Sequence, residues 1–67
     1  MKLIDLLSVI YDWNSTEVCV YDSEGNEIAY YDGKDSIPTY LNDKKVNGIY
    51  PSINRESKKP CIAIDLA

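Results

Sequence analysis

Residues 17 to 31, EVCVYDSEGNEIAYY, set two alternating runs on either side of a turn-forming cluster, and this constrains the fold more than any other part of the chain. In the first run Val18 and Val20 point one way and Cys19 and Tyr21 the other, as a strand requires. The cluster DSEGN supplies Gly25 and Asn26, which tolerate positive φ, so the chain reverses into a second strand from Glu27 to Tyr31. Alternation carried through that turn puts Tyr30 in the core with Val18, Val20 and Ile28. It puts Tyr21 and Tyr31 on the other face, with Cys19 and Ala29.

The remaining elements follow from a change of period. Leu3, Ile4, Leu6, Leu7, Ile10 and Tyr11 recur at the three-and-four spacing of a helical stripe, which Asp12, Asn14 and Ser15 then end. After the hairpin, the breaker cluster 32–36 offers Asp35 or Ser36 as the cap of a short helical turn. Pro38 suits its first turn, and Tyr40 and Leu41 form its apolar side. Lys44 to Ile49 reads as a third strand with a bulge or register change at Gly48, and Pro51 either stops it or confines it to an edge. Asn54 to Lys59 forms a long turn, after which CIAIDL alternates as a fourth strand. The order α-β-β-(short α)-β-β predicts one α+β domain over residues 1–67, an antiparallel four-stranded sheet covered on one face by the N-terminal helix. The uncovered face is small, apolar or aromatic where a solvated sheet usually carries Thr, Lys and Glu, so a sister subunit or a ligand is expected there.

Size points the same way. A domain of 67 residues buries only ~60% of its unfolded surface, and a core of that size rarely supplies more than ~3–5 kcal/mol. No metal is expected to make up the difference, because the chain has no histidine and its two cysteines, Cys19 and Cys61, lack paired ligand spacing. The opening MKLIDLLSVIYDW is interrupted by Asp5 and too short to span a bilayer, so the protein is expected in the cytoplasm with both thiols reduced. Homo-oligomerisation is the expected source of further burial.

Charge divides the chain. Residues 1–43 carry Lys2 and Lys34 against nine carboxylates, a balance of −7, whereas residues 44–67 carry five cations against Glu56 and Asp65, a balance of +3. An acidic protein does not bind duplex DNA by neutralising phosphates. A compact anion site is a narrower demand, and Arg55, Lys58 and Lys59 share one turn. Arg55, the only arginine, can grip a phosphate through two parallel hydrogen bonds.

No catalytic constellation emerges. Without histidine there is no Ser-His or Cys-His pair, GKDS at 33–36 lacks the upstream glycine of a phosphate loop, and NST at 14–16 is a glycosylation pattern without meaning in a cytoplasmic protein. The chain reads as a binding protein, not an enzyme, with no cofactor. Tyr21, Tyr31 and Tyr50 are the candidates to stack on a base or ribose. Arg55, Lys58 and Lys59 would hold phosphate, and Asn47 and Asn54 would read polar edges.

The run LIDLLSVI, a polar turn and then TEVCVYDSEGNEIAYYDG together resemble small proteins carried by phages and prophages of Gram-positive bacteria. In those, a leucine-rich helix leads into a V-x-V-Y-D hairpin, a short linking helix, a strand and a final strand of alternating aliphatics. The resemblance covers nearly the whole chain. In size and layout it is similar to counter-defence proteins, which implies a molecule that acts by binding, commonly as an oligomer, inside an infected cell. Two kinds fit: a sponge that sequesters a nucleotide immune signal, either a cyclic ADP-ribose variant or a cyclic dinucleotide, without cleaving it; and an acidic inhibitor, such as an anti-CRISPR protein, that blocks a nuclease's nucleic-acid groove. The second draws on the acidic first half of the chain, which would face a basic groove.

Overall fold

Two hairpins meet along their inner strands in a computed structural model that describes residues 1–10, 16–31 and 37–67. The elements are α1 (Leu3–Leu7), β1 (Glu17–Tyr21), β2 (Glu27–Tyr31), a one-turn 3-10 helix (Thr39–Leu41), β3 (Val46–Ile53) and β4 (Pro60–Leu66). The short linking helix is therefore the tighter 3-10 form. Helix α1 is shorter than its apolar stripe, although Ile10 still packs against the core. Tyr11, the expected helix stop at Asp12, Asn14 and Ser15, and the caps Asp35 and Ser36 lie outside the described residues.

The sheet is mixed, with strand order β2-β1-β4-β3, and the expectation of a wholly antiparallel sheet is corrected at its centre. Strand β1 pairs antiparallel with β2 and β3 antiparallel with β4, but β1 and β4 run parallel, with Val18 beside Ile62 and Val20 beside Ile64. Two physical causes combine. Pro51 lacks an N–H and suits an edge, so β3 lies outermost and its hairpin partner β4 turns inward. The connection between Tyr31 and Val46 has the length, a dozen residues or so, that lets β3 start in the same direction as β2 at the opposite edge. Its Ile37 and Leu41 are buried in the core on the helix side.

Strand β3 runs on through Pro51 to Ile53, beyond the expected end at Ile49, and its register shifts between Val46 and Gly48 as Gly48 suggested. The N-terminus is clamped to the start of this strand. Leu3 and Ile4, whose N–H groups have no partner within the helix, donate to the carbonyls of Lys44 (2.8 Å) and Asn42 (3.0 Å). Val46 donates to Met1 O at 2.9 Å.

The core lies between the sheet and the layer made by α1 with Ile37 and Leu41. Leu3, Val18, Val20, Tyr31, Leu41 and Ile64 are its most buried members, each burial contributing on the order of 1.5–3 kcal/mol. Tyr31 overturns the expected division of the tyrosines. The register steps from Val20↔Ala29 to Tyr21↔Glu27, so Ile28 is passed over, and the bulge turns Ala29 and Tyr31 to the core side opposite Val20 and Val18. Tyr31 is 0% exposed, whereas Tyr30, expected inside, stands opposite Cys19 on the other face at 41%.

Candidate functional site

The face turned away from α1 is a tyrosine-walled trough. Its middle row runs Tyr30, Cys19, Ala63, Tyr50 across β2, β1, β4 and β3, which sets an aromatic ring on each edge strand and two small residues between them. Cys19 and Ala63 are themselves almost fully covered, 2% and 0% exposed, and a depression of about 1020 Å³ opens over this face. The row on one side is Glu27, Tyr21, Asp65, Gly48, and the row on the other is Glu17, Cys61, Ser52.

Hydrogen bonds fix the walls. Tyr30 OH donates to Glu17 Oε1 at 2.8 Å, and Ser57 Oγ donates to the same carboxylate at 2.9 Å, which ties the 54–59 turn to the start of β1. Tyr50 OH lies 3.5 Å from Asp65 Oδ1. Asn54 organises its own turn by accepting from the N–H groups of Glu56 (2.8 Å) and Ser57 (3.2 Å), while its Nδ2 points at Cys19 Sγ, 3.8 Å away. At the other end, Asp22 accepts from the N–H groups of Glu24 and Asn26, both at 2.9 Å, and these bonds, Asn26 foremost, lower its pKa.

Two reduced thiols lie buried on this side of the sheet. Cys19 and Cys61 are both free and buried, with sulfurs 3.9 Å apart. Burial, then the hydrogen bond and charge of Cys61 and the nearby Glu27, raise the Cys19 thiol from 9.0 to about 12, so it is fully protonated at neutral pH. Burial also raises the phenol of Tyr21, with Cys19 and Glu27 adding to it. It raises Tyr50 too, beside Asp65.

Of the residues singled out from sequence, Tyr21, Asn47, Tyr50, Asn54 and Arg55 come together around this trough. Tyr31 does not, since it is sealed beneath α1 on the far side of the sheet. Lys58 and Lys59 are exposed in the turn but do not line the depression; Lys58 adopts φ +63° there. Sequence reasoning missed Tyr30, Glu56 and Asp65, and offered Asp22 and Glu27 only as part of the acidic first half. Glu27 and Asp65 had a readable signal, the parity they share with Tyr21 and Cys61, but eleven carboxylates in a small acidic chain resemble ordinary solubilising surface.

The charge of the lining is the reverse of a phosphate site. Asp22, Glu27, Glu56 and Asp65 face the depression against the single cation Arg55. Among the described residues no three His, Cys, Asp or Glu side chains are grouped to hold a metal ion, and no helix is long and apolar enough to cross a membrane. Compared with known proteins, the chain matches no family model, no curated protein and no solved structure. Its fold and the chemistry of this face carry the functional argument.

Proposed function

We propose that this protein acts by occupancy without turnover, as a phage-type counter-defence inhibitor whose acidic sheet face fills the basic groove of a nucleic-acid-handling defence protein in the cytoplasm of an infected bacterium. The observation that carries this reading is the lining of the trough, four carboxylates against one guanidinium, with tyrosine rings at both walls. Such a surface repels phosphate and attracts arginine and lysine side chains, which pair with the carboxylates and rest on the ring faces. A basic groove built for nucleic acid presents those side chains in quantity.

The test is capture of a partner from host lysate at low salt, followed by reconstitution of the purified pair. The partner should bind at one-to-one stoichiometry, lose the chain as salt rises, and exchange it for nucleic acid in competition. A partner that holds the chain and its nucleic acid together would exclude groove blocking.

One observation favours sequestration of a nucleotide signal instead. Arg55, Asn54 and Tyr50 share the β3 side of the trough and offer a cation, an amide and a ring to one ligand. On that reading, cyclic ADP-ribose isomers or cyclic dinucleotides raise the melting temperature and return intact after heating. If no nucleotide shifts the melt, the sponge reading is lost.

A further inference from the structure

We infer that the Asn47-Gly48 pair of β3 is a site of spontaneous modification, at which the Gly48 nitrogen displaces ammonia from the Asn47 side chain and water then leaves a carboxylate at position 47. The inference stands whichever partner or ligand the sheet face takes.

The chemistry is intramolecular and consumes only water. The main-chain nitrogen of Gly48 attacks Cγ of Asn47, the bond from Cγ to Nδ2 breaks, and the proton lost by Gly48 leaves with Nδ2 as ammonia. The product is a cyclic succinimide. Water then adds to one of its two carbonyl carbons and opens the ring. Cleavage at Cγ restores the ordinary main chain with an aspartate, whereas cleavage at the main-chain carbonyl gives an isoaspartate, whose chain runs on through the side chain. Glycine in second place favours the step because it has no Cβ to obstruct the closing ring.

Sequence and structure select the same pair. Of Asn14, Asn26, Asn42, Asn47 and Asn54, only Asn47 precedes a glycine. Ring closure rotates the asparagine well away from an extended ψ of about +135°, and in a paired strand that rotation breaks ladder bonds. At Asn47 the ladder is already interrupted. The register passes from Val46↔Leu66 to Gly48↔Asp65, so Asn47 is the extra residue of a bulge and has no partner on β4. On the outer side of β3, Met1 reaches only as far as Val46, and among the described residues no strand lies beyond. Asn47 is exposed and lines the depression, which admits the water that opens the ring. Space beside Gly48 is open as well, since the one atom within 4 Å of a Cβ placed there is Asp65 Oδ2, at 3.9 Å.

The other described asparagines are engaged. Asn26 donates its N–H and Nδ2 to Asp22, Asn42 donates its N–H to Thr39 O, and Asn54 Oδ1 accepts from Glu56 and Ser57. The new carboxylate at position 47 would join Asp22, Glu27, Glu56 and Asp65 around the depression, on a chain whose net charge is already −4. The face thus grows more acidic as the protein ages.

The test ages the intact chain in mildly alkaline buffer beside Gly48→Ala and a capped peptide of residues 46–50, sampled by ion exchange and by mass spectrometry with fragment mapping. A single more acidic species should accumulate, with the amide-to-acid mass gain at Asn47, both aspartate and isoaspartate present, and a rate within tenfold of the peptide's. Gly48→Ala should slow the conversion at least tenfold while keeping the parent's circular dichroism. A folded chain more than tenfold slower than the peptide would show that the strand protects the pair and would overturn the inference. So would a change that appears first at Asn26, Asn42 or Asn54, or aspartate formed without isoaspartate.

Discussion

At the scale of single residues, Cys19 carries a pH dependence with a definite sign. Its thiol titrates at about 12 in the folded chain against 9.0 for an ordinary thiol, chiefly because it is buried. The folded state therefore holds a proton that the unfolded state gives up. Stability from this group is complete below pH 9 and drains away as pH rises toward 12. Urea midpoints measured from pH 8 upward should fall across that window, and less steeply in Cys19→Ala once its lower starting stability is subtracted. The two adjacent tyrosines of β2 give a contrast of another kind. Tyr31→Ala empties a site that is 0% exposed and should cost ~3–5 kcal/mol in urea unfolding, whereas Tyr30→Ala removes a half-exposed wall and should cost about 1 kcal/mol or less. Comparable losses at both positions would contradict the bulged register. This is also where the sequence was hardest to read. After Glu27 the run IAYY is apolar on both parities, so alternation there is weak, and only the residue passed over at Ile28 decides the assignment.

At the scale of elements, the β1–β2 turn shows local sequence acting directly. Gly25 takes φ +84°, and Asp22 gathers the N–H groups of Glu24 and Asn26, so turn and hairpin are written in one five-residue stretch. Gly25→Ala should destabilise by about 1 kcal/mol through that backbone angle, while Gly48→Ala, which only brings a methyl into ordinary contact with Asp65, should be neutral or slightly stabilising. Thermal or urea melts of the two variants check the pair. Asp22 adds an acid limb: because its folded pKa is lowered, its contribution is intact above the ordinary carboxylate value of 3.8 and is lost as pH falls below it. The hairpin at Gly25, the register shift at Gly48 and the final strand were legible, because each depends on neighbours in the chain, while Pro51 left open whether β3 stops or lies at an edge. The parallel join of β1 to β4 was not legible. It depends on where the 32–45 connection travels, and a breaker cluster followed by a short apolar patch reports a link without its path.

For the molecule as a whole, the two faces of the sheet follow different rules. One is closed by α1 with Ile37 and Leu41, and it is apolar in the usual way. The other gathers Asp22, Glu27, Glu56 and Asp65 against Arg55 on a chain of net charge −4, where losing a negative charge lessens self-repulsion. Glu27→Gln and Asp65→Asn should therefore raise the melting temperature by a few degrees at low ionic strength, with the gain shrinking as salt is added. Either substitution lowering the melt in low salt would mean that these carboxylates serve the fold. The charge division along the chain pointed to such a surface, but its location was hidden, since Glu27 and Asp65 come from opposite halves of the sequence and meet only across Tyr21. The step at Ile28 has a consequence in time as well. A chain that closes this hairpin one residue out of phase hides Tyr30 in place of Tyr31 at little initial penalty and must reopen before α1 can seat. Stopped-flow refolding should show a slower minor phase that Tyr30→Lys abolishes, since a lysine in the wrong phase would have to be buried. The bulge that turns Tyr31 inward thus also offers the chain two registers, and the slow phase measures how often it takes the wrong one.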